Sequence, residues 1–590
     1  MKLRRTLLSV LIAGACAPAF AATVDTTSIE DATVSPRFIV KYRDGSAERT
    51  QPAARERSLA AAADRARPQL GARIANLKGI AALRIDALRT TFSGKQVVRA
   101  SQKLDRVQAE AVMRAIASDP SVESIGVDRL MHATAMPNDP MLATHQTWHY
   151  GTGKGGARVT TAWDSGATGA GVVVAVIDTG ATHHADLEPN LLPGYDFITD
   201  PLLSRRPTAD RVPGGWDLGD YTTAGYCEAG SGASNSSWHG THVSGTIAEV
   251  TNNALGGAGI AYNAKVVPVR VLGSCGGYTS DINDAIVWAA GGHIDGVEDN
   301  RNAAEVINMS LGGNHACEAD TQAAIDKAVS LGATIVVAAG NDNDDTIRHS
   351  PGNCARVITV GATGYSGQRA SYSNYGPNVD ISAPGGAGVE GSPNGYIWST
   401  HNTGKTVPEG DRYVGMTGTS MATPHVAGIV ALVQSVAPKP LTPAQVESLV
   451  ISTARPFPAK PDRAIGAGIV DATAAVEAAR NYGQPIQATV LANNVATALP
   501  ALAAGQSAIY AVDVPQGATR LEFSSYDGRG TLAVYANLES EPMPTANLGS
   551  SLRPGTNQII TFTPPATGRY YFKVKATAAA SGVLVRARIL

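Results

Sequence analysis

Apolar and alternating runs divide this chain into three differently patterned stretches. In the middle stretch, Val172-Val173-Val174-Ala175-Val176-Ile177 is apolar at every position. That suits a strand buried on both faces, as in a parallel sheet. It ends in Asp178-Thr179-Gly180, a carboxylate at the carboxyl edge where open α/β sheets gather their sites. Ala333 to Ala339 predicts a second strand, closed by Gly340-Asn341, and Val426 to Val433 predicts an apolar helix after a glycine-rich turn. Nearer the start, Arg37 to Tyr42 alternates as a strand, Arg55 to Ala66 and Arg106 to Ala117 predict helices, and Val122 to Val127 closes with another strand. Asn481 to Pro485 breaks the pattern again. Beyond it, Ala508–Val514, Leu521–Phe523, Thr531–Tyr535 and Tyr570–Lys575 alternate in short segments, which predicts a β-sandwich.

The segment Gly415 to Gly428 sets Ser420 on a turn that runs into the apolar helix. A serine hydroxyl is a poor nucleophile alone; it needs a base, an orienter for that base and donors for an oxyanion. His239 opens a second run of small residues, His239 to Ala248, and Asp178 ends the apolar strand. The order Asp, His, Ser is that of the subtilisins; α/β-hydrolases order theirs Ser, Asp, His. Asp178-Thr179-Gly180 and Asp164-Ser165-Gly166 imitate an aspartic-protease pair. They lie one helix-to-strand step apart, whereas that dyad needs one aspartate from each of two lobes, sharing a proton at close range. A zinc peptidase lacks support, since His239 and His242 have neither an intervening glutamate nor a third ligand.

Trp163-Asp164, Asp178-Thr179-Gly180, His239 to Ala248, Asn308 to Gly312, Ala338 to Asn341 and Gly418 to Gly428 together resemble the subtilisin-like serine proteases, from about Pro137 to Ala479. The resemblance implies an α/β, three-layer fold with a mostly parallel central sheet over residues 133–480. A ferredoxin-like propeptide (22–132) would precede it and a C-terminal β-sandwich (481–590) of the prepeptidase C-terminal type would follow. It implies Ser420 as nucleophile, His239 as base, Asp178 as its orienter and Asn341 as oxyanion donor. Ser310-Leu311-Gly312 and Ala338-Ala339-Gly340 would wall the S1 pocket, with His349 near its base, favouring hydrophobic or aromatic P1 residues of protein substrates. Asp342, Asp344 and Asp345 either draw basic residues or are solvated loop charge. The propeptide would act as folding aid and transient inhibitor, cut between Leu130 and Pro137; the alternative is an accessory domain that is retained. The family's calcium site carries over to the side chains of Asp139, Asp186 and Asn253 with the carbonyls of Val250, Leu255 and Gly257, donors that suit a hard cation. A weaker site would use Asp196 and Asp200, with Asp210, Asp217 or Asp220; otherwise these are solvated loop carboxylates.

Composition adds the compartment. Met1 to Arg5 is basic, Leu7 to Ala13 apolar and Ala19-Phe20-Ala21 small, the pattern of a Sec-type signal peptide over residues 1–21; Cys16 raises a lipoprotein alternative. Secretion, through the periplasm where there is an outer membrane, is therefore expected. No later run is long enough to span a bilayer. A net charge of −2 with 17% charged residues gives no reason to expect nucleic acid or a membrane surface as partner, and a monomer is expected. Beyond the signal, Cys227, Cys275, Cys317 and Cys354 remain, allowing two disulfides in three connectivities. The sequential pairing, each pair flanking one side of the catalytic groove, is expected. The rival functional class is a scaffold with a silent peptidase, against which all four catalytic elements stand.

Overall fold

The computed structural model describes residues 22–25, 37–71, 83–101, 104, 106–128, 137–483, 486, 488–539, 541–542 and 547–590. The expected signal peptide and nearly all of the expected junction lie outside the described residues. The chain forms two compact units, residues 1–134 and 135–590.

In the first unit the order is strand Arg37–Tyr42, helix Pro52–Gly71, strands Ile85–Thr90 and Gln96–Ala100, helix Arg106–Ala117 and strand Val122–Val127. Arg37–Tyr42 lies between Val122–Val127 and Gln96–Ala100, antiparallel to both, which is the ferredoxin-like arrangement. Alternation along Arg37–Tyr42 buries Phe38, Val40 and Tyr42 in one core with Leu59, Ala62, Ala66, Val112 and Ile116 of the two helices. The first helix is longer than the expected Arg55 to Ala66. Pro52 starts it where no amide partner is needed, and the chain stays helical to Gly71.

The second unit is built on an eight-stranded sheet. Its order is Ile381–Pro384, Ile358–Thr363, Thr334–Ala338, Val306–Met309, Val173–Asp178, Lys265–Arg270, Gly194–Asp196 and Val212–Gly214. Every pair is parallel except the last. Alternation sends Val174, Val176, Val306 and Val336 into one core, against the helices Thr419–Val436 and His239–Ala248. Ala175, Ile177, Ile307 and Val337 enter a second core, beneath the helices Thr279–Ala289 and Ala319–Ser330. Helices on both faces explain why the strands read as unbroken apolar runs. The C-terminal strands form two further sheets around Tyr510, Leu521, Phe523, Val534, Phe572 and Val585, with Phe523 and Phe572 stacked at 4.3 Å. No helix among the described residues is long and apolar enough to cross a membrane.

Three fully buried histidines tie this unit together. His425 donates from Nδ1 to the Met421 carbonyl (2.8 Å), so its Nε2 accepts from His149 Nδ1 (2.9 Å). That pair pins the Thr147–Tyr150 turn to the Thr419–Val436 helix. His242 Nε2 lies 3.1 Å from the carbonyls of both Ile397 and Val414, the two strands of an antiparallel hairpin. Burial holds His149 well below the usual imidazole range and pushes His242 down to about 3 and His425 to about 4. In the unfolded chain all three take protons near pH 6.5. Stability is therefore full above that pH and is lost as pH falls from there towards 4, where the unfolded state binds more protons than the native one. The melting temperature of the covalently inhibited enzyme should fall steadily over that window; a flat profile would show that these imidazoles are not held neutral.

Candidate active site

Asp178 ends the central strand and is fully buried. Its Oδ1 accepts the Thr179 amide (2.7 Å), and its two oxygens lie 2.8 and 2.9 Å from His239 Nδ1. A carboxylate only accepts, so Nδ1 carries the proton and Nε2 is left with its lone pair. Behind this pair the Thr179 hydroxyl donates to Asp217 (2.7 Å) and accepts the Gly240 amide (3.0 Å), fixing the first turn of the histidine's helix to the strand end. Burial pushes Asp217 up to about 7. Burial also works against charge on His239, but the charge and hydrogen bond of Asp178 outweigh it, with Asp220 and Asp217 adding, and the net direction is upward.

Ser420 lies in the first turn of the helix Thr419–Val436. Pro424 sits four residues on and has no N–H for the Ser420 carbonyl. The Ser310 hydroxyl supplies that donor (2.9 Å) and is itself held by Asn308 Nδ2 (3.0 Å). In return the Ser420 hydroxyl donates to the Ser310 carbonyl (3.2 Å) rather than to His239. Asn341 Oδ1 accepts both the amide (2.8 Å) and the hydroxyl (2.9 Å) of Thr419. An amide N–H can only donate, so the Asn341 oxygen faces Thr419 and its NH2 group has no hydrogen-bond partner among the described residues. A β-carbon on Gly418 would lie 3.6 Å from that nitrogen. Thr419 was not singled out in the sequence; a second hydroxyl directly before Ser420 was the available signal.

Leu311, Gly312, Ala338, Ala339 and Gly340 line a cavity of about 410 Å³ together with Asn341, His349 and Ser420. Ser310 was expected among these walls. It is instead 3% exposed, behind them, engaged with the Ser420 backbone. His349 Nδ1 lies 3.6 Å from Asp342 Oδ2 and its buried Nε2 3.9 Å from Asp344 Oδ2, with no hydrogen-bond partner for Nε2 among the described residues. A larger hollow of about 580 Å³ opens at the other end of the strands, between Leu331 and the Pro440–Glu447 stretch, away from Ser420.

Asp139, Asp186 and Asn253 come together as a third group. Asp139 accepts the amides of Asn252 (2.7 Å) and Asn253 (3.1 Å), and Asn253 Nδ2 donates to Asp186 (2.6 Å). Burial raises Asp186 to about 6, and burial with the adjacent Asp186 charge raises Glu249 well above the carboxylate range. Glu249, the lone acid ending an apolar helix, had not been noticed. The carbonyls of Val250, Leu255 and Gly257 accept no hydrogen bond among the described residues. Buried carboxylates without a cation beside carbonyls without donors fit a hard divalent ion, although no group of three or more His, Cys, Asp or Glu among the described residues is gathered to hold one. The second expected site does not form. Asp196 is shared by Arg206 (3.0 Å) and Arg270 (2.7 Å), and Asp200 caps a short helix through the Leu202 amide (2.8 Å). Two guanidinium groups already meet the charge of Asp196. Cys227 is bonded to Cys275 and Cys317 to Cys354.

The chain is similar to known proteins. The subtilase family model matches residues 169–468. An extracellular protease of Xanthomonas campestris pv. campestris is 46% identical over 99% of each chain. An extracellular basic protease of Dichelobacter nodosus is 44% identical over 76% of this chain and 72% of that one. A solved protease of Pseudoalteromonas arctica superposes with a TM-score of 0.56 at 52% identity, covering 58% of this chain and all of that one. The chain belongs to the subtilase family and is a subtilisin-like serine protease.

The upward shift of His239 can be measured directly. Its imidazole should titrate above the ordinary value in a proton NMR series, and Asp178→Asn should bring it down. An unchanged titration in that variant would remove Asp178 as the cause.

Proposed function

We propose that the chain is an exported endopeptidase that cuts extracellular proteins through an acyl-enzyme, with Asp178, His239 and Ser420 as triad and Asn341 as oxyanion donor. The observation that carries this reading is the Asp178–His239 hydrogen bond of 2.8 Å at the same sheet edge as an Asn341 amide turned by Thr419. Ser420 Oγ attacks the scissile carbonyl carbon while His239 Nε2 takes its proton. The oxyanion is met by Asn341 Nδ2 and the Ser420 amide, one of the unpaired donors of a helix's first turn. As the C–N bond breaks, His239 returns the proton to the leaving amine; water then repeats the cycle on the ester. The Ser420 hydroxyl rests on the Ser310 carbonyl, and catalytic hydrogen bonds commonly tighten only with substrate bound.

The cavity beside Ser420 is the S1 pocket in this reading. Its alanine, glycine and leucine walls favour hydrophobic or aromatic P1 side chains. Export through a Sec-type signal peptide at residues 1–21 accords with the extracellular relatives. The first unit would be a propeptide, folding aid and transient inhibitor, released by the enzyme itself near residues 130–137. The mature enzyme would be a monomer, with the 481–590 sandwich as a separable module. On this account Ser420→Ala, expressed in a protease-free host, accumulates with its propeptide attached, because loss of one triad member costs orders of magnitude in rate. Normal processing would mean that another enzyme makes the cut.

Calcium would be held by Asp139, Asp186 and Asn253 with the carbonyls of Val250, Leu255 and Gly257. It would supply charge to buried carboxylates and clamp the Asp139 segment to two loops; it has no part in the chemistry. Chelation should free that segment to self-digestion. The mature enzyme should lose activity faster at moderate heat in EDTA than in EDTA with excess calcium; equal half-lives, with no calcium by elemental analysis, would remove the site.

A further inference from the structure

The two chain segments that face each other across the S1 cavity come from different parts of the fold. Gly312, Gly313 and Asn314 follow the strand Val306–Met309; His349 and Ser350 belong to a long loop after Thr334–Ala338. That loop holds one short helical turn, Thr346–Arg348, before the next strand begins at Ile358. It therefore has no continuous ladder of its own to set its place. Two backbone bonds join the segments, Gly313 N–H to the Ser350 carbonyl (2.8 Å) and Ser350 N–H to the Gly313 carbonyl (3.0 Å). Asn353 Nδ2 adds bonds to the carbonyls of His315 (3.0 Å) and Ile347 (2.9 Å). A β-carbon on Gly312 would already lie 3.0 Å from the Ser350 oxygen, so the walls meet at van der Waals distance. The Cys317–Cys354 disulfide closes this joint, four residues beyond each bridged position.

We propose that the Cys317–Cys354 disulfide is a positioning crosslink for the S1 cavity, holding its two walls at the separation that selects the P1 side chain. This rests on the assignment of that cavity as S1. The crosslink touches neither Ser420 nor His239; it acts through Gly313, His349 and Ser350. Released, the loop keeps the bonds above, those of its first half to the Tyr372–Tyr375 segment and those of Ala355 to Gln322, but it loses the covalent tie beside Ser350; the cavity widens and varies while Asp178, His239 and Asn341 keep their own anchors. Cys227–Cys275 provides an internal comparison, because neither it nor its neighbours line the cavity.

The test uses mature enzyme and peptide anilides that differ only at P1, phenylalanine against alanine. In Cys317→Ser/Cys354→Ser the Phe/Ala ratio of kcat/KM should fall by about 10-fold, the scale on which pocket fit and sub-ångström placement act. The loss should appear mainly in KM for the phenylalanine substrate. Cys227→Ser/Cys275→Ser should lower thermal stability and leave the ratio alone. Should the first variant not fold, mild reduction of mature enzyme, with alkylation mapping to show which bridge opened, reads the same ratio. An unchanged ratio with Cys317–Cys354 open overturns the proposal and leaves the S1 assignment standing. A wild-type ratio near one overturns the S1 assignment, and the crosslink proposal with it.

Discussion

The active-site edge depends on one close approach, that of Gly240 to the end of the central strand. A β-carbon on Gly240 would lie 2.2 Å from the Gly180 carbonyl oxygen and 3.2 Å from the Asp178 β-carbon. No side chain larger than hydrogen fits there. Because none is present, the helix His239–Ala248 starts directly against the strand end and His239 reaches a fully buried carboxylate. The same economy recurs at Gly245, where a β-carbon would fall 2.1 Å from the Thr400 hydroxyl and 2.4 Å from that of Ser399. Those hydroxyls instead donate to the carbonyls of Thr241 and His242, so the hairpin Ile397–Met416 locks the helix from its other side.

The helix that carries Ser420 is set by a different device. Its apolar length is buried throughout in the larger core, which fixes its axis. Pro424 withdraws a donor from its first turn, and Ser310 replaces it. Ser310 satisfies the Ser420 carbonyl and Thr419 fixes the orientation of Asn341. Two helix starts, one held by glycine contact and one by side-chain hydroxyls, thus point at the same strand edge. Donors that are already aimed need no reorganisation when charge develops on a substrate.

The central fold was legible because a sheet covered on both faces must be apolar at every strand position, and Val172 to Ile177 and Ala333 to Ala339 had no other good use. The segments carrying Asp178, His239, Asn341 and Ser420 were legible as motifs, and they converge at one edge. Ser310 was misread because its motif placed it beside the pocket walls, whereas the missing Pro424 amide, visible only when the helix is built, draws it behind them. Asp196 was expected as a ligand because its partners carry no local periodicity: Arg206 lies ten residues on, past a short helix, and Arg270 is its register partner on the neighbouring strand. The hairpin Ile397–Asn402 with Asp411–Met416 carries polar residues at buried positions, so alternation gave no sign of it. Glu249 escaped for the opposite reason: a single acid in an apolar run carries no periodicity.

The central claim is that an amide oriented by Thr419 stabilises charge that exists only during reaction. Asn341→Leu keeps the side chain's shape and removes the donor, leaving the triad intact. The account predicts a fall in kcat of about 10²–10³-fold, the range established for one oxyanion donor in subtilisin itself, with KM little changed. Retained kcat, or a loss carried by KM alone, would contradict it.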